Sequence, residues 1–306
     1  MPSDASAPVA RPEPEPGRER RAAGRALYRS SLRILLKDPM GAMGLILVLV
    51  FVAMALFAPW LAPYDPIKLD VMDKFQGPSW EHWAGTDQLG RDLLSRIIYG
   101  ARTALGIALT SVGLAGLGGI VLGMIAGYGP RWLDAILVLI FDSVSSLPMI
   151  MLALAVITVI GPGTDTLILV VVTVSIPAYA RLIRAQTLGL SSADFIVAER
   201  AMGASSVRIL FKHLLPNVVG PLVILLSMDV PIIIMLEAGL SYLNLGVRPP
   251  IPSWGNILYD GYTSLRSAPH MVLFAGAPLV LSTLGFTFLG EGLRDALDPK
   301  LVKGGA

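Results

Sequence analysis

Residues 41–61 read GAMGLILVLVFVAMALFAPWL, Gly41 to Leu61, a run without a single charged side chain. A helix needs about 20 largely apolar residues to cross a hydrocarbon layer of roughly 30 Å. This run meets that length, and it is too apolar for a surface helix and too long for a buried strand. Five further runs follow: Thr103 to Gly127, Ala135 to Ile160 with Asp142 inside it, Thr166 to Ala180, Val218 to Ala238 with Asp229 and Glu237, and Met271 to Leu289. The fourth is short, and its helix is expected to continue through Arg181 and Arg184 into the interface. Six spans make an all-α, polytopic membrane protein.

Composition agrees. Of 306 residues, 54% are hydrophobic and 15% charged, against roughly 25% charged in soluble domains. A net charge of +2 gives no support to nucleic-acid binding. With no cysteine there are no disulfides or thiolate metal sites, and His82, His213 and His270 lack zinc-ligand spacing. Seventeen of the 24 Lys and Arg fall on the side of the two termini and seven on the other. The positive-inside rule therefore puts both termini in the cytoplasm.

Residues 1–26, rich in Pro, Arg, Ala and Glu, read as a disordered tail. The Arg20-Arg21 pair and Ala53-Met54-Ala55 have the look of an export signal. The apolar core, however, begins about 20 residues after the pair and is of full membrane length, so an uncleaved signal anchor is expected. The chain divides into a tail (1–38), a first span with an external segment (39–102), a core (103–291) holding a cytoplasmic loop at 189–217, and a C-terminal tail (292–306). Gly119, Gly123 and Gly127, with Ala115 and Gly116, form a small-residue stripe for close helix approach. Residues 87–101 place Leu93, Leu94, Ile97, Ile98 and Ala101 on one face and are expected to lie along the membrane surface.

The loop between spans four and five is unusual. It reads SSADFIVAERAMGA at 191–204 and reaches HLLPN at 213–217. Ser191 and Asp194 have capping-box spacing, Phe195, Ala198 and Met202 share a face, and Gly203 suits a helix end. Ser205 or Ser206 can cap a second helix with a stripe of Val207, Leu210, Phe211 and Leu214, ended by Pro216. A helical, amphipathic loop on the cytoplasmic side suggests a docking surface.

This stretch resembles the EAA loop of ABC importer permeases, whose pattern is Glu-Ala-Ala, three residues, Gly, nine residues, Ile-x-Leu-Pro. Ala198, Gly203, Leu215 and Pro216 match; Val197, Glu199 and His213 replace the usual Glu, second Ala and Ile. Three more stretches resemble the peptide and nickel branch: GTDQLGRD at 85–92 with Ser95-Arg96, EAGLSYLNLG at 237–246 followed by Pro249-Pro250 and PSWG at 252–255, and GLRDALDP at 292–299. Asn244 replaces a more usual Gly. The likeness runs from about residue 38 to 303.

The resemblance implies the type I ABC importer permease fold and the C-type subunit of a dipeptide, oligopeptide or nickel importer. A second homologous permease would complete the pore as a heterodimer, an extracytoplasmic solute-binding protein would deliver solute, and two ATPase subunits would bind ATP and Mg. This chain has no phosphate-binding Gly-x-x-x-x-Gly-Lys loop, so it is expected to be a non-catalytic inner-membrane permease without a cofactor. Asp194, Ala198, Glu199, Ala201, Gly203, Ala204 and Pro216 are the expected ATPase-coupling residues. Met228 and Asp229 are candidates for the solute path. Asp229 has two readings: a contact for a cationic group such as a peptide amino terminus, or a partner for a polar group on the other permease. Asp142 is expected nearer the cytoplasmic interface. An ion-coupled carrier, a non-transporting anchor, and nickel, glutathione or another small solute remain as alternatives.

Overall fold

Apolar length decides where the helices run, and capping residues decide where they start. The structure, a computed structural model, describes residues 35–297. The expected N-terminal tail, the Arg20-Arg21 pair and the end of the C-terminal signature lie outside the described residues. Helix α1 is Pro39–Leu56, with the Asp38 carboxylate accepting from Gly41 N at 2.7 Å and proline in the first turn. Helix α2 is Leu93–Tyr128, capped by Asp92, whose Oδ2 accepts from Ser95 N at 2.7 Å. Then come α3 (Arg131–Ser145), α4 (Met149–Ile160), α5 (Thr164–Ser191), α6 (Asp194–Ala201), α7 (Ser206–Tyr242), α8 (Trp254–Thr263) and α9 (His270–Leu297).

The glycine stripe has a defined partner. A Cβ on Gly119 would sit 2.5 Å from Tyr179 Cβ, one on Gly123 2.6 Å from Ala180 O, and one on Gly127 2.7 Å from Thr187 Cβ. Helices α2 and α5 therefore pack backbone to backbone. Residue n on α2 meets residue n + 60 on α5, so the two run parallel.

Four expectations change. The third span is not one helix: α3 and α4 meet at an 85° bend. The break falls at Ser145-Ser146-Leu147-Pro148, where Pro148 pushes Leu147 away from helical geometry and lacks an N–H for the ladder. Because α2 and α5 are parallel, the intervening pair must carry the chain back across the membrane, so it counts as the third of six spans. Helices of 15 and 12 residues at 85° reach about 30 Å end to end at ~1.5 Å per residue, enough for one crossing.

Second, residues 93–101 are not a separate surface helix but the first turns of α2, with Leu93, Ile97, Ile98 and Ala101 buried. The boundary expected at 102/103 thus falls inside one helix. Third, Pro216 does not end the loop's second helix. Residues Ser206–Ile209 continue through a π turn at Leu210–Leu214 into Leu215–Tyr242, and Leu215 N–H bonds back five residues to Leu210 O. The wider turn accommodates a proline that cannot donate to the usual carbonyl. Fourth, the capping box does not form; Ala193 precedes α6, and Ser191 Oγ instead donates to Leu188 O at 2.9 Å.

The core is a chain of apolar clusters stacked along the bundle. Val48 and Phe51 of α1, Ala104 and Ala108 of α2, Val230 and Ile234 of α7, Trp254, and Leu279 and Phe286 of α9 form the central one. Toward the loop, Tyr179, Ile183, Ile196, Ile209, Leu214, Val218 and Leu222 form another. It roots the loop helices in the membrane bundle.

Candidate functional site

The loop at 189–217 folds as a helical hairpin held from inside. Ile196 of α6 and Ile209 and Leu214 of α7 are fully buried, and each contributes about 1.5–3 kcal/mol of transfer free energy. The outward face keeps large apolar groups exposed: Phe195, Val197, Met202, Val207 and Phe211. The stripe foreseen for the second helix is thus split, with Val207 and Phe211 outward and Leu214 inward.

Helix α6 ends in a full Schellman motif. Ala204 N donates to Glu199 O at 3.0 Å and Gly203 N to Arg200 O at 3.0 Å. Gly203 has φ +83°, and a Cβ there would meet nothing within 4 Å. Glycine is required by the backbone conformation alone. Asp194 lies in the first turn, where a carboxylate favours the helix dipole. Of the expected coupling residues, Asp194, Ala198, Ala201, Gly203 and Pro216 are exposed, and Glu199 and Ala204 are half-buried.

Two departures from the family pattern meet. Glu199 Oε1 lies 3.2 Å from His213 Nε2, without the alignment of a hydrogen bond. Arg200 sits over the Tyr128 ring at 5.0 Å, tying α6 to the end of α2. Ser205 caps the second helix, as expected, accepting from Arg208 N at 3.4 Å.

Within the membrane, Asp229 is half-buried and shares its surroundings with the buried Tyr179 hydroxyl and Ser175, all within this chain. No hydrogen bond of good geometry closes on the Tyr179 hydroxyl. Met228 backs onto α9, where a Cβ on Gly290 would lie 3.1 Å from Met228 Cγ. The structure therefore separates the two proposed path residues: Asp229 turns toward α5 and Met228 toward α9.

Two ion pairs escaped the sequence reading. Arg184 grips Asp134 at both oxygens, 2.5 and 2.7 Å. Arg181 Nη1 donates to Asp142 Oδ1 at 2.9 Å, and Nη2 to Ser145 Oγ at 2.6 Å. The available signal was opposite charge near the same ends of consecutive spans.

At the opposite end of the bundle from the hairpin, the sequence signatures fold into a buried polar junction. Asp87 accepts from Leu89 N at 2.8 Å, Arg91 N at 3.0 Å and Arg91 Nε at 2.7 Å, and also from Arg96 Nη1. Asp260 of α8 lies 3.5–3.6 Å from both arginines. Gly90, at φ +73°, passes so close to the Asp70 backbone that no Cβ fits. Glu237, 2% exposed, accepts from Ser241 Oγ at 2.7 Å and Ser253 Oγ at 2.8 Å, which pins the loop after α7 to its own helix. Asn244 has φ +60°, a conformation that glycine takes freely and asparagine tolerates, which accounts for its standing where Gly is more usual.

The family described as "Binding-protein-dependent transport system inner membrane component" matches residues 119–303, and "N-terminal TM domain of oligopeptide transport permease C" matches 27–78. The chain is 37% identical to the dipeptide transport system permease protein DppC of Alkalihalophilus pseudofirmus, over 98% of this chain and 99% of that one. It is 40% identical to the glutathione transport system permease protein GsiD of Pectobacterium atrosepticum, covering 90% and 92%. It is also 40% identical to the di/tripeptide transport system permease protein DppC of Pseudomonas aeruginosa, covering 84% and 87%. A chain in a solved structure of the MetNI methionine ABC transporter, with inward-facing conformations, shares the fold: TM-score 0.54 at 20% identity, over 67% of this chain and 97% of that one.

Proposed function

This chain belongs to the binding-protein-dependent transport system inner membrane component family, and from that premise we propose that it forms half of a pore for short peptides. It is a multi-pass inner-membrane permease subunit of an ABC importer, non-catalytic, and it works with further permease, ATPase and binding-protein components. The family membership displaces the ion-coupled carrier and the non-transporting anchor.

The peptide reading rests on one observation: likeness over nearly the whole chain to permeases named for dipeptides, with others named for di/tripeptides and for glutathione, itself a tripeptide. Short solutes with a free ammonium and a free carboxylate are the common chemistry. In the proposed assembly a second homologous permease makes a heterodimer in lipid, and two ATPases bind ATP and Mg beneath it. Both termini are cytoplasmic, in keeping with the charge asymmetry. Asp194, Ala198, Glu199, Ala201, Gly203, Ala204 and Pro216 form the surface that takes up the ATPase movement. The exposed Phe195, Met202, Val207 and Phe211 supply the apolar contact. Asp229, on its α5 side, and Met228, on its α9 side, border the solute path at different points.

The test is uptake of labelled di- and tripeptides by proteoliposomes holding the complete importer and its binding protein. ATP-dependent accumulation of peptides is expected. Accumulation of nickel or an amino acid in preference to every peptide tried refutes the substrate class.

A further inference from the structure

The bend in the third span exposes charge where lipid should be. Ser145, Ser146, Leu147 and Pro148 are all exposed, and beside them the Asp142 and Arg181 side chains are 61% and 42% exposed although paired with each other. The parallel register of α2 and α5 gives their depth. The charge-free stretch Thr103–Gly127 centres on Ala115, level with Ser175 in that register. Arg181 stands six residues further on, about 9 Å from the midplane at ~1.5 Å per residue, inside the ~15 Å half-thickness of the hydrocarbon layer. Tyr179, beside Asp229, lies at nearly the same level on another face of α5.

Hydrocarbon tolerates neither exposed charges nor irregular backbone; at membrane depth they line water, are enclosed by protein, or, for a long side chain, reach to the interface, and the Arg181 guanidinium is instead held on Asp142 and Ser145. Enclosure fits poorly. Asp142 Oδ2 and the remaining guanidinium donors would each require a further partner, since desolvated ion pairs are favourable only when all their hydrogen bonds are met. Water meets them at no such cost.

We infer that Arg181, Asp142 and Ser145 line the aqueous solute path at the bend of the third span, and that the ion pair opens to receive the charged ends of a zwitterionic solute. The solute carboxylate replaces Asp142 on the Arg181 guanidinium, and Asp142 turns to the solute ammonium. A planar guanidinium is suited to this exchange because it binds a carboxylate at two points. The inference rests on the reading of this chain as a pore-forming peptide permease.

The chain has no cysteine, so Ser145→Cys in the assembled importer is a single reporter on this subunit. A membrane-impermeant, cationic methanethiosulfonate reagent reacts with thiols only in water. Leu117→Cys, on the 64% exposed outer face of α2, serves as the reference. Ser145→Cys is expected to label faster by on the order of tenfold or more, because hydrocarbon excludes the reagent, and to slow when saturating transported peptide is present. Labelling as slow as at Leu117→Cys means that protein or lipid closes this face and overturns the inference. The second arm is Arg181→Gln, which should raise KM for peptides with a free carboxylate far more than for their carboxamides. An equal effect on both overturns the exchange. Uptake by the unmodified importer separates the two levels: without peptide uptake the proposed function fails, and with uptake but no labelling only the inference fails.

Discussion

Gly203 allows a quantitative test of the loop, because its backbone demand is separable from its space demand. It sits at φ +83° with nothing within 4 Å of a would-be Cβ. A substitution there meets no clash, so its cost is torsional. For an ordinary residue in the left-handed region that cost is about 1–2 kcal/mol, which corresponds to a factor of roughly 5–30 in the population of the native turn. Asparagine tolerates the region better, and a β-branched residue is a genuine outlier there. The expected order of transport activity is therefore Gly, then Asn, then Asp, then Ala and Ser together, with Val lowest and close to abolished. Insertion and subunit assembly should persist, since the membrane bundle keeps its own core. The assay is peptide uptake and peptide-stimulated ATP hydrolysis by reconstituted importer at matched subunit content. Hydrolysis without matching uptake is the expected signature for Val. If activity instead falls smoothly with side-chain volume, so that Asn is worse than Ala, the torsional argument is wrong. If Gly203→Val transports normally, the loop does not couple.

Three further outcomes follow from packing and buried charge. Asp87→Ala leaves Arg91 and Arg96, whose side chains are 7% and 3% exposed, with Asp260 alone at 3.5–3.6 Å; a loss of up to about 3–5 kcal/mol should appear as poor assembly and a lower Tm in detergent, eased by adding Arg96→Gln. Glu237→Gln keeps an oxygen for Ser241 and Ser253 and should be close to native, whereas Glu237→Leu costs about 1–3 kcal/mol for each hydroxyl left without an acceptor; equal damage from both would mean that the charge itself is needed. Gly123→Val drives a side chain into Ala180 O and Ile183, where a Cβ would already sit 2.6 and 2.7 Å away, and should cost about 1–3 kcal/mol in thermal unfolding, whereas Gly113→Ala, with nothing within 4 Å, should be silent.

Hydropathy made the six crossings legible because the lipid constraint acts on whole segments. It averages over residues, so it passed across Pro148 even though Ser145-Ser146-Leu147-Pro148 carries a breaker signal. The continuation of α5 through Arg181 and Arg184 was foreseen. The run from Ser206 into α7 was not, since a proline at 216 ordinarily reads as a stop and only a π turn lets the helix pass it. The loop's Gly203 was legible from its position after α6, because left-handed caps are local. Ion pairs were not: Arg181 meets Asp142 across 39 residues and Arg184 meets Asp134 across 50, and no local pattern encodes which helices become neighbours. Glu237 carried an overlooked local signal, a serine four residues on at Ser241, which in a helix places a donor beside the carboxylate.

The helix from Ser206 to Tyr242, 37 residues, is about 55 Å long at ~1.5 Å per residue. One end holds half of the hairpin at 191–217; the other holds Glu237 and Ser241, which fasten the loop that follows it. A rod of that length tilted by 5° displaces its far end by about 5 Å. The two surfaces of the membrane are thus mechanically one object, and a push beneath must be felt above unless the rod yields. The places for yielding are the π turn at Leu210–Leu214 and the ladder gaps at Pro221 and Pro231. Stiffening those joints should make the outer opening follow the inner loop more closely, and loosening them should let each side move without the other.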